Sequence, residues 1–211
     1  DRIGDMDNNN SLELEIKFLI NFDNISKIRK EILKIPTIFY EGKSYEKTTM
    51  LDNKEKRMDE DDARLRVRQI SNQKNSENSK IEFSYKRRIK ASGGIKKEEE
   101  IESAFTTNVD LFFQILNKMG YEITTSYERY RETYKNEGIK ITLDEFPFGY
   151  ILEIEGEEKN INNICDLLKL NKEKSYALSC DDVYEDLCKK ENIKPKKHIL
   201  FDDLNMPKLI F

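Results

Sequence analysis

Charged side chains alternate with apolar ones along several segments of the sequence, and their types are those that bind phosphate and hard metal ions. Arg64, Arg66 and Arg68 share one face of a predicted strand, as do Glu153 and Glu155 of a later one, because every second residue of a strand points to the same side. Planar guanidinium groups bind phosphate oxygens in pairs. Neighbouring carboxylates, which repel one another, are tolerated when a divalent cation lies between them.

The alternation recurs in further predicted strands. The other same-face sets are Glu13, Glu15 and Lys17; Glu82, Ser84, Lys86 and Arg88; Glu98, Glu100 and Glu102; Arg129 and Arg131; Lys140, Thr142 and Asp144. One interpretation is an ordinary sheet whose outer face is solvated. The other is a closed barrel with its charges inside and its apolar face covered by helices, and a barrel of about eight strands can hold one small ligand. Arginine predominates over lysine in the strands around Arg66 and Arg129 although lysine is commoner elsewhere, which favours the barrel and a polyphosphate complexed with Mg²⁺ or Mn²⁺.

The elements that would position these residues are typical of an α+β fold with a largely antiparallel sheet. Strands are predicted at 12–20, 45–52, 64–70, 80–89, 96–103, 125–135, 139–146 and 150–156. Helices are predicted at 24–35, 107–119 and 160–170, with a shorter one in the tail. Asn24 and Thr107 are the expected N-caps of the first two helices, and Gly120 the expected stop of the second.

Length and composition indicate one domain with appendages. We expect a disordered leader at 1–10, a main domain at 11–180, and a helix and tail at 181–211 that pack on the barrel or cap one mouth. The 211 residues carry 41 acids and 37 bases, a net charge of −4, which argues against a nucleic-acid binder with a uniformly basic surface. No apolar run approaches the roughly 20 residues of a membrane helix, and no signal-peptide pattern is present, so we expect a cytoplasmic protein.

Histidine and cysteine chemistry is nearly excluded by the sequence. His198 is the only histidine, and it lies in a lysine-rich segment. Cys165, Cys180 and Cys188 lack C-x-x-C spacing, and their odd number fits a reducing compartment. We therefore expect these thiols to be packing residues.

Taken in order along the chain, the motifs resemble those of the CYTH, or triphosphate tunnel metalloenzyme, superfamily. Glu13-Leu14-Glu15-Ile16-Lys17 is similar to its E-x-E-x-K signature. The later motifs that resemble the family are Leu65-Arg66-Val67-Arg68, Ser84-Tyr85-Lys86, the acidic run 98–102, Arg129-Tyr130-Arg131 with Tyr134, Ile141-Thr142-Leu143-Asp144, Leu152-Glu153-Ile154-Glu155-Gly156 and Ser175-Tyr176. The resemblance spans about 12–178, most of the chain.

The resemblance implies an eight-stranded antiparallel β-barrel tunnel with a charged lumen, helices packed outside, and Mg²⁺ or Mn²⁺ as cofactor. The bases that it implies would grip the triphosphate are Lys17, Arg66, Arg68, Lys86, Arg129 and Arg131. The implied metal ligands are Glu13, Glu15, Asp144, Glu153 and Glu155. Glu100 and Glu102 would orient water or simply hold the arginines; the register of this strand is open between Glu98 with Glu100 and Glu100 with Glu102, and Arg64 is a supporting charge.

The resemblance leaves three functions open. The first is hydrolysis of inorganic tripolyphosphate, thiamine triphosphate or a nucleoside triphosphate by in-line attack of water. The second is a class IV adenylate cyclase, which makes cyclic AMP and pyrophosphate from ATP; its members often carry a His-Phe pair where this chain has Asn8-Asn9-Asn10-Ser11. The third is a non-catalytic module that binds polyphosphate or nucleotide. The expected partner is a small triphosphate, with no nucleic acid or membrane, and the protein is expected to be a monomer or homodimer.

Overall fold

A computed structural model describes the backbone of residues 11–72, 74, 80–92 and 95–207, and their side chains except those of 11–13, 90–92, 95 and 96. The leader predicted at 1–10 lies outside the described residues. No helix in these ranges is both long enough and apolar enough to cross a bilayer.

The predicted strands form one closed antiparallel barrel. In chain order they are β1 (Ser11–Ile20), β2 (Phe39–Asn53), β3 (Ala63–Ser71), β4 (Lys80–Ser92), β5 (Ile95–Phe105), β6 (Tyr121–Asn136), β7 (Ile139–Phe146) and β8 (Gly149–Gly156). They pair in the order β2-β3-β4-β5-β1-β8-β7-β6, and β2 also pairs with β6, which closes the sheet. A short strand, β9 (His198–Ile199), adds in parallel to β6. The α+β barrel predicted from the sequence is confirmed.

Helices cover the outer surface of the barrel, where the hydrophobic core lies. They are α1 (Ile25–Leu33), α2 (Arg57–Glu60), α3 (Val109–Lys118), α4 (Glu158–Leu167) and α5 (Cys180–Lys190). The outward residues of β1, such as Ile16 and Phe18, are buried in one cluster with Ile28 of α1 and Ile161 of α4. The apolar face of each strand is therefore directed away from the barrel axis, which leaves the charged face for the lumen.

Strands β2 and β6 are longer than their local sequences predict. They pair with each other from Phe39 opposite Lys135 to Asn53 opposite Tyr121, with register shifts at Tyr40/Gly42 and Met50/Leu51. This long ladder supplies hydrogen bonds to backbone groups in segments that lack a clear strand pattern. Pairing between distant parts of the sequence therefore extends both strands.

The helix boundaries differ from the predictions at their caps. The side chain of Asn108, and not that of Thr107, accepts the N–H of Leu111 at 3.1 Å and starts α3. Asn24 does occupy the N-cap position of α1, but its side chain makes no capping hydrogen bond. The tail helix α5 starts with a capping box between Ser179 and Asp182, which fixes the direction in which its first turn meets the barrel.

Candidate active site

All eight barrel strands contribute side chains to a cavity of about 240 Å³ in the lumen. Nine bases and ten acids line it: Lys17, Arg64, Arg66, Arg68, Lys86, Arg129, Arg131, Lys135 and Lys140, with Glu15, Glu41, Glu46, Glu82, Glu98, Glu100, Glu102, Glu153, Glu155 and Asp181. The interpretation of a solvated outer face is therefore wrong, because the charged faces point into the barrel. Asp144, on the same face of β7, lies behind this lining and is fully buried.

One side of the lumen, which we call the β6 wall, consists of Arg129, Arg131, Glu46 and Asp144. Arg129 donates from Nε and Nη2 to Glu46 at 2.8 and 2.5 Å, and from Nη1 to Asp144 at 3.1 Å. Arg131 donates from Nε and Nη2 to the two oxygens of Asp144 at 2.7 and 2.6 Å. The register produces both pairs, because Glu46 lies opposite Arg129 and Asp144 opposite Arg131.

The β6 wall holds its charges firmly in the ionised state. Burial and the neighbouring Arg131 disfavour the charged form of Arg129, but Asp144 and Glu46 outweigh them and raise its pKa. Burial alone would raise the pKa of Glu46; the guanidinium groups of Arg129, Arg68 and Arg131 instead hold it well below the ordinary range. These four residues form a preorganised, neutralised network.

Another part of the lumen, separated from β6 by β2, we call the β3 wall; it consists of Arg66, Arg68 and Lys86 with their partners Glu82, Ser84, Glu100 and Glu102. Its contacts are longer. Arg66 donates to Ser84 at 3.0 Å and to Glu100 at 3.2 Å, and Arg68 reaches Glu82 at 3.4 Å. The Nε of Arg68 lies 3.5 Å from Glu46 and makes no hydrogen bond to a residue that the structure describes.

The two arginines of the β3 wall are held less tightly than those of the β6 wall. Burial and the adjacent Arg68 together lower the pKa of the Arg66 guanidinium. Lys86 lies 3.0 Å from Glu100, which it shares with Arg66. The buried Nε of Arg68, which makes no hydrogen bond to a described residue, suits an incoming anion.

Apart from Asp144, the carboxylates predicted to bind metal lie on the paired strands β1 and β8. Glu15 is opposite Glu155, and Glu153 is opposite Lys17. Lys17 contacts Glu15 at 2.6 Å and Glu153 at 3.6 Å, while Glu155 accepts from Lys140 at 2.7 Å. Burial opposes the charge on Lys17, but Glu15 and Glu153 raise its pKa nevertheless.

These carboxylates fit a hard divalent cation by chemistry, since Mg²⁺ and Mn²⁺ prefer oxygen ligands. They are not gathered into a ready cage: among the residues whose side chains are described, no three acids, cysteines or histidines converge on one point. Glu15 and Glu153 are instead joined through Lys17, and the side chain of Glu13 lies outside the described residues. A cation would have to displace the Lys17 ammonium group from between them. Both oxygens of Asp144 accept hydrogen bonds from arginines. The geometry therefore favours a role for Asp144 in holding these arginines in place.

The acidic strand β5 contributes Glu100 and Glu102 to the β3 wall. Glu98 and Glu100 are buried, whereas the side chain of Glu102 is 35% exposed and lies 3.6 Å from Arg66. Glu98 forms an ion pair with Arg64. Both residues predicted to be catalytic thus contact bases of the site.

Sequence reasoning missed Glu46 and the first turn of α5. On β2, Glu46 shares its face with Thr48 and Met50, so this strand shows no alternation of charges. Ser179, Cys180 and Asp181 line one end of the cavity, where the preceding segment bonds to β1 through the backbone of Tyr176 and Lys17. The only available signal was the S-Y motif that precedes them.

The cysteines are buried, as the sequence predicts. Burial, reinforced by the negative charge of Glu153, raises the pKa of Cys180 to about 12. Its thiol is therefore protonated at neutral pH, which is unfavourable for a nucleophile.

Comparisons with known proteins agree with this geometry. The PH1819 protein of Pyrococcus horikoshii OT3 is 24% identical, with a TM-score of 0.62 over 85% of this chain and 99% of that one. A candidate adenylate cyclase from Vibrio parahaemolyticus is 16% identical, with a TM-score of 0.62 over 83% and 99%. HpAC1 from Hippeastrum, described as a candidate adenylyl cyclase with a dominant triphosphatase activity, is 14% identical, with a TM-score of 0.59 over 83% and 95%.

No curated protein sequence matches the chain significantly. The family model of the CYTH domain, however, matches residues 11–181, a range that contains all eight barrel strands and the first residues of α5. The chain therefore belongs to the CYTH domain family.

Proposed function

We propose that this protein hydrolyses a small triphosphate, most readily inorganic tripolyphosphate, in the barrel lumen with the help of Mg²⁺ or Mn²⁺. The observation that carries the proposal is the ring of buried bases around a cavity of about 240 Å³. Phosphoryl transfer requires mainly positioning and charge stabilisation from the protein, and buried arginines supply both.

Each side of the lumen would have its own part in the reaction. Arg66, Arg68 and Lys86 would bind the phosphate oxygens, because all three line the cavity and the Nε of Arg68 makes no hydrogen bond to a described residue. Arg129 and Arg131, fixed by Glu46 and Asp144, would hold the chain of phosphates in line. Neither a histidine nor a thiolate is needed as a nucleophile. Water attacks the terminal phosphorus, the bond from that phosphorus to the bridging oxygen breaks, and pyrophosphate leaves while the terminal group becomes free phosphate.

Glu15, Glu153 and Glu155 would hold the divalent cation, with Glu13 of the same strand as a further ligand. When bound, such a cation neutralises phosphate charge and makes water a better nucleophile. The Lys17 ammonium group, released from Glu15 and Glu153, would then be free to bind a phosphate oxygen.

The size and lining of the cavity favour a substrate without a base or sugar. Sites for drug-sized ligands occupy about 300–1,000 Å³, more than the lumen offers. Among the described lining residues Tyr127 is the one aromatic side chain, whereas adenine is commonly stacked on aromatic rings.

The test is phosphorus NMR of the protein with tripolyphosphate and, separately, with ATP, each in Mg²⁺ and in Mn²⁺. We expect phosphate and pyrophosphate from tripolyphosphate, slower turnover of ATP, and no turnover in EDTA. Glu153→Gln should abolish turnover with the fold retained, and Glu158→Gln, an exposed change on α4, should leave it unaltered. Signals that shift without being consumed would contradict hydrolysis and indicate a binding module.

A second candidate is cyclisation of ATP, in which the ribose 3′-oxygen attacks the α-phosphorus and pyrophosphate leaves. It is supported by the structural similarity to candidate cyclases, one of which combines that description with a dominant triphosphatase activity. Cyclic AMP as the main product from ATP would overturn the hydrolase proposal in its favour.

A further inference from the structure

Strand β2 joins the two walls of the lumen, and Thr48 lies at the middle of this junction. Thr48 is opposite Arg68 of β3 and opposite Tyr127 of β6. Both of these residues line the cavity, and side chains that are directly opposite each other in an antiparallel pair point to the same side. Thr48 therefore belongs to the lumen face of the barrel, although it carries no charge and is not part of any motif described above.

The hydroxyl group of Thr48 has no evident role in folding. The residue is fully buried, and its Oγ1 makes no hydrogen bond to a residue that the structure describes. A buried hydroxyl group without a partner destabilises the fold. Valine has nearly the same shape and suits a strand as well without that cost. The hydroxyl group at this position therefore calls for a reason other than the stability of the free protein.

Arg68, across from Thr48, also has an unused polar group. Its Nε is buried and makes no hydrogen bond to a described residue. Its guanidinium group is held only by long contacts, at 3.4 Å to Glu82 and 3.5 Å to Glu46. Residues directly opposite in an antiparallel pair have Cβ atoms about 4.5–5.5 Å apart, so a rotation of the arginine side chain brings its Nε–H within reach of the threonine oxygen.

We infer that Thr48 is a positioning residue for Arg68. When a phosphate group binds, Arg68 turns away from its two carboxylate partners, its Nη atoms donate to phosphate oxygens, and its Nε donates to Oγ1 of Thr48. One movement thus satisfies both buried groups. The hydrogen bond at Nε also fixes the plane of the guanidinium group, as paired recognition of phosphate oxygens requires. The inference rests on the proposed function in one respect, namely that a phosphate chain enters the lumen.

Isothermal titration calorimetry with tripolyphosphate in EDTA, where we expect no turnover, tests the inference. Thr48→Val should weaken binding about tenfold, and Thr48→Ser, which keeps the hydroxyl group, should bind nearly as tightly as the native protein. Thr49→Val is the matched control: Thr49 is opposite Val67, which packs in the core outside the barrel, and this variant should bind normally. Native affinity in Thr48→Val would overturn the inference alone, whereas a native protein that binds no tripolyphosphate would overturn the proposed function with it.

Two further measurements distinguish positioning from a purely structural role. Without ligand, Thr48→Val should be as stable as the native protein or more stable in urea, because the hydroxyl group it removes has no described partner. Added to Arg68→Met, it should cause no further loss of affinity, because its effect on binding passes through Arg68. A clear loss of stability in the free protein, or an undiminished tenfold effect when Arg68 is already replaced, would overturn the inference.

Discussion

The β6 wall and the β3 wall both present arginines to the same cavity, yet these arginines are held by hydrogen bonds of different length. On the β6 wall, Arg129 and Arg131 donate five hydrogen bonds of 2.5–3.1 Å to two carboxylates. On the β3 wall, Arg66 and Arg68 make contacts of 3.0–3.6 Å. The β6 wall is therefore held in place by its own ion pairs, whereas the β3 wall is suited to bind a further negative charge.

This difference between the walls separates the residues that stabilise the fold from those that bind the ligand. A buried ion pair whose partners are fully bonded is costly to break, because the remaining charge is left unpaired in a poorly solvated place. A buried base without full compensation is costly to keep, and an anion that binds to it removes that cost. Substitutions on the β6 wall should thus act first on unfolding, and those on the β3 wall first on affinity.

Asp144→Ala should have the largest effect, since it leaves two buried guanidinium groups without their shared partner. We expect the free energy of unfolding to fall by about 3–5 kcal/mol, measured by urea denaturation at neutral pH. Asp110→Ala, an exposed aspartate without a described ion pair, should be nearly neutral. If Asp144 served mainly as a metal ligand, Asp144→Ala would abolish divalent-cation binding with little loss of stability, contrary to this comparison.

Arg66→Met should have the reverse effect: it should weaken ligand binding without lowering the stability of the fold. Charge-assisted hydrogen bonds contribute about 1.5–3 kcal/mol, so affinity for tripolyphosphate should fall about 10- to 100-fold in isothermal titration calorimetry. Stability without ligand should stay the same or rise, since burial and Arg68 already disfavour the charge of Arg66.

Arg129→Met is the matched variant on the β6 wall, where the same change removes two hydrogen bonds from the buried Glu46 and one from Asp144 and should lower the stability of the free protein. Equal losses of stability in the two variants would show that the walls do not differ as described.

Glu46→Gln should show, through the pH dependence of the free energy of unfolding, how much the β6 wall stabilises the fold. Because the pKa of Glu46 is lower in the folded protein than in the unfolded chain, its charge stabilises the fold above the unfolded value of about 4.3 and this contribution is lost as the pH falls toward the folded value. The variant should be about 1–3 kcal/mol less stable at pH 7, since glutamine keeps one acceptor for Arg129. The difference should shrink below about pH 4, followed by urea unfolding at a series of pH values. Glu158→Gln should show no such pH-dependent difference.

The barrel could be predicted from the sequence because it follows from the pattern of residues within each strand. Alternation decides which side chains share a face, as with Arg66 and Arg68 or Glu153 and Glu155, and a chain with apolar residues on the other face must cover that face. The residue pattern already indicates about eight strands, and the family motifs imply the same number. The outward core around Ile16 and Phe18 follows from the same pattern.

The ion-pair partners could not be predicted in this way, because they depend on register between distant strands. Glu46 meets Arg129 only through the pairing of β2 with β6, which includes register shifts that no local pattern indicates. Asp144 was assigned to a metal by its motif, and its enclosure by Arg129 and Arg131 follows from the position of β7 beside β6. The entry of Cys180 into the lumen likewise depends on how α5 packs.

Glu102→Gln should have the smallest effect, and it decides between two roles for this residue. Loss of a general base or acid lowers kcat by about 10²–10⁴-fold, whereas a partly exposed ion pair contributes about 0–1 kcal/mol. Since Glu102 is 35% exposed in its side chain and 3.6 Å from Arg66, we expect it to support that arginine: KM for tripolyphosphate should rise a few-fold while kcat and its pH profile stay unchanged. Glu100→Gln, which affects Arg66 and Lys86 together, should raise KM further. A large fall in kcat for Glu102→Gln, with one limb of the pH profile lost, would instead assign it to the chemical step and would make the β3 wall more than a binding surface.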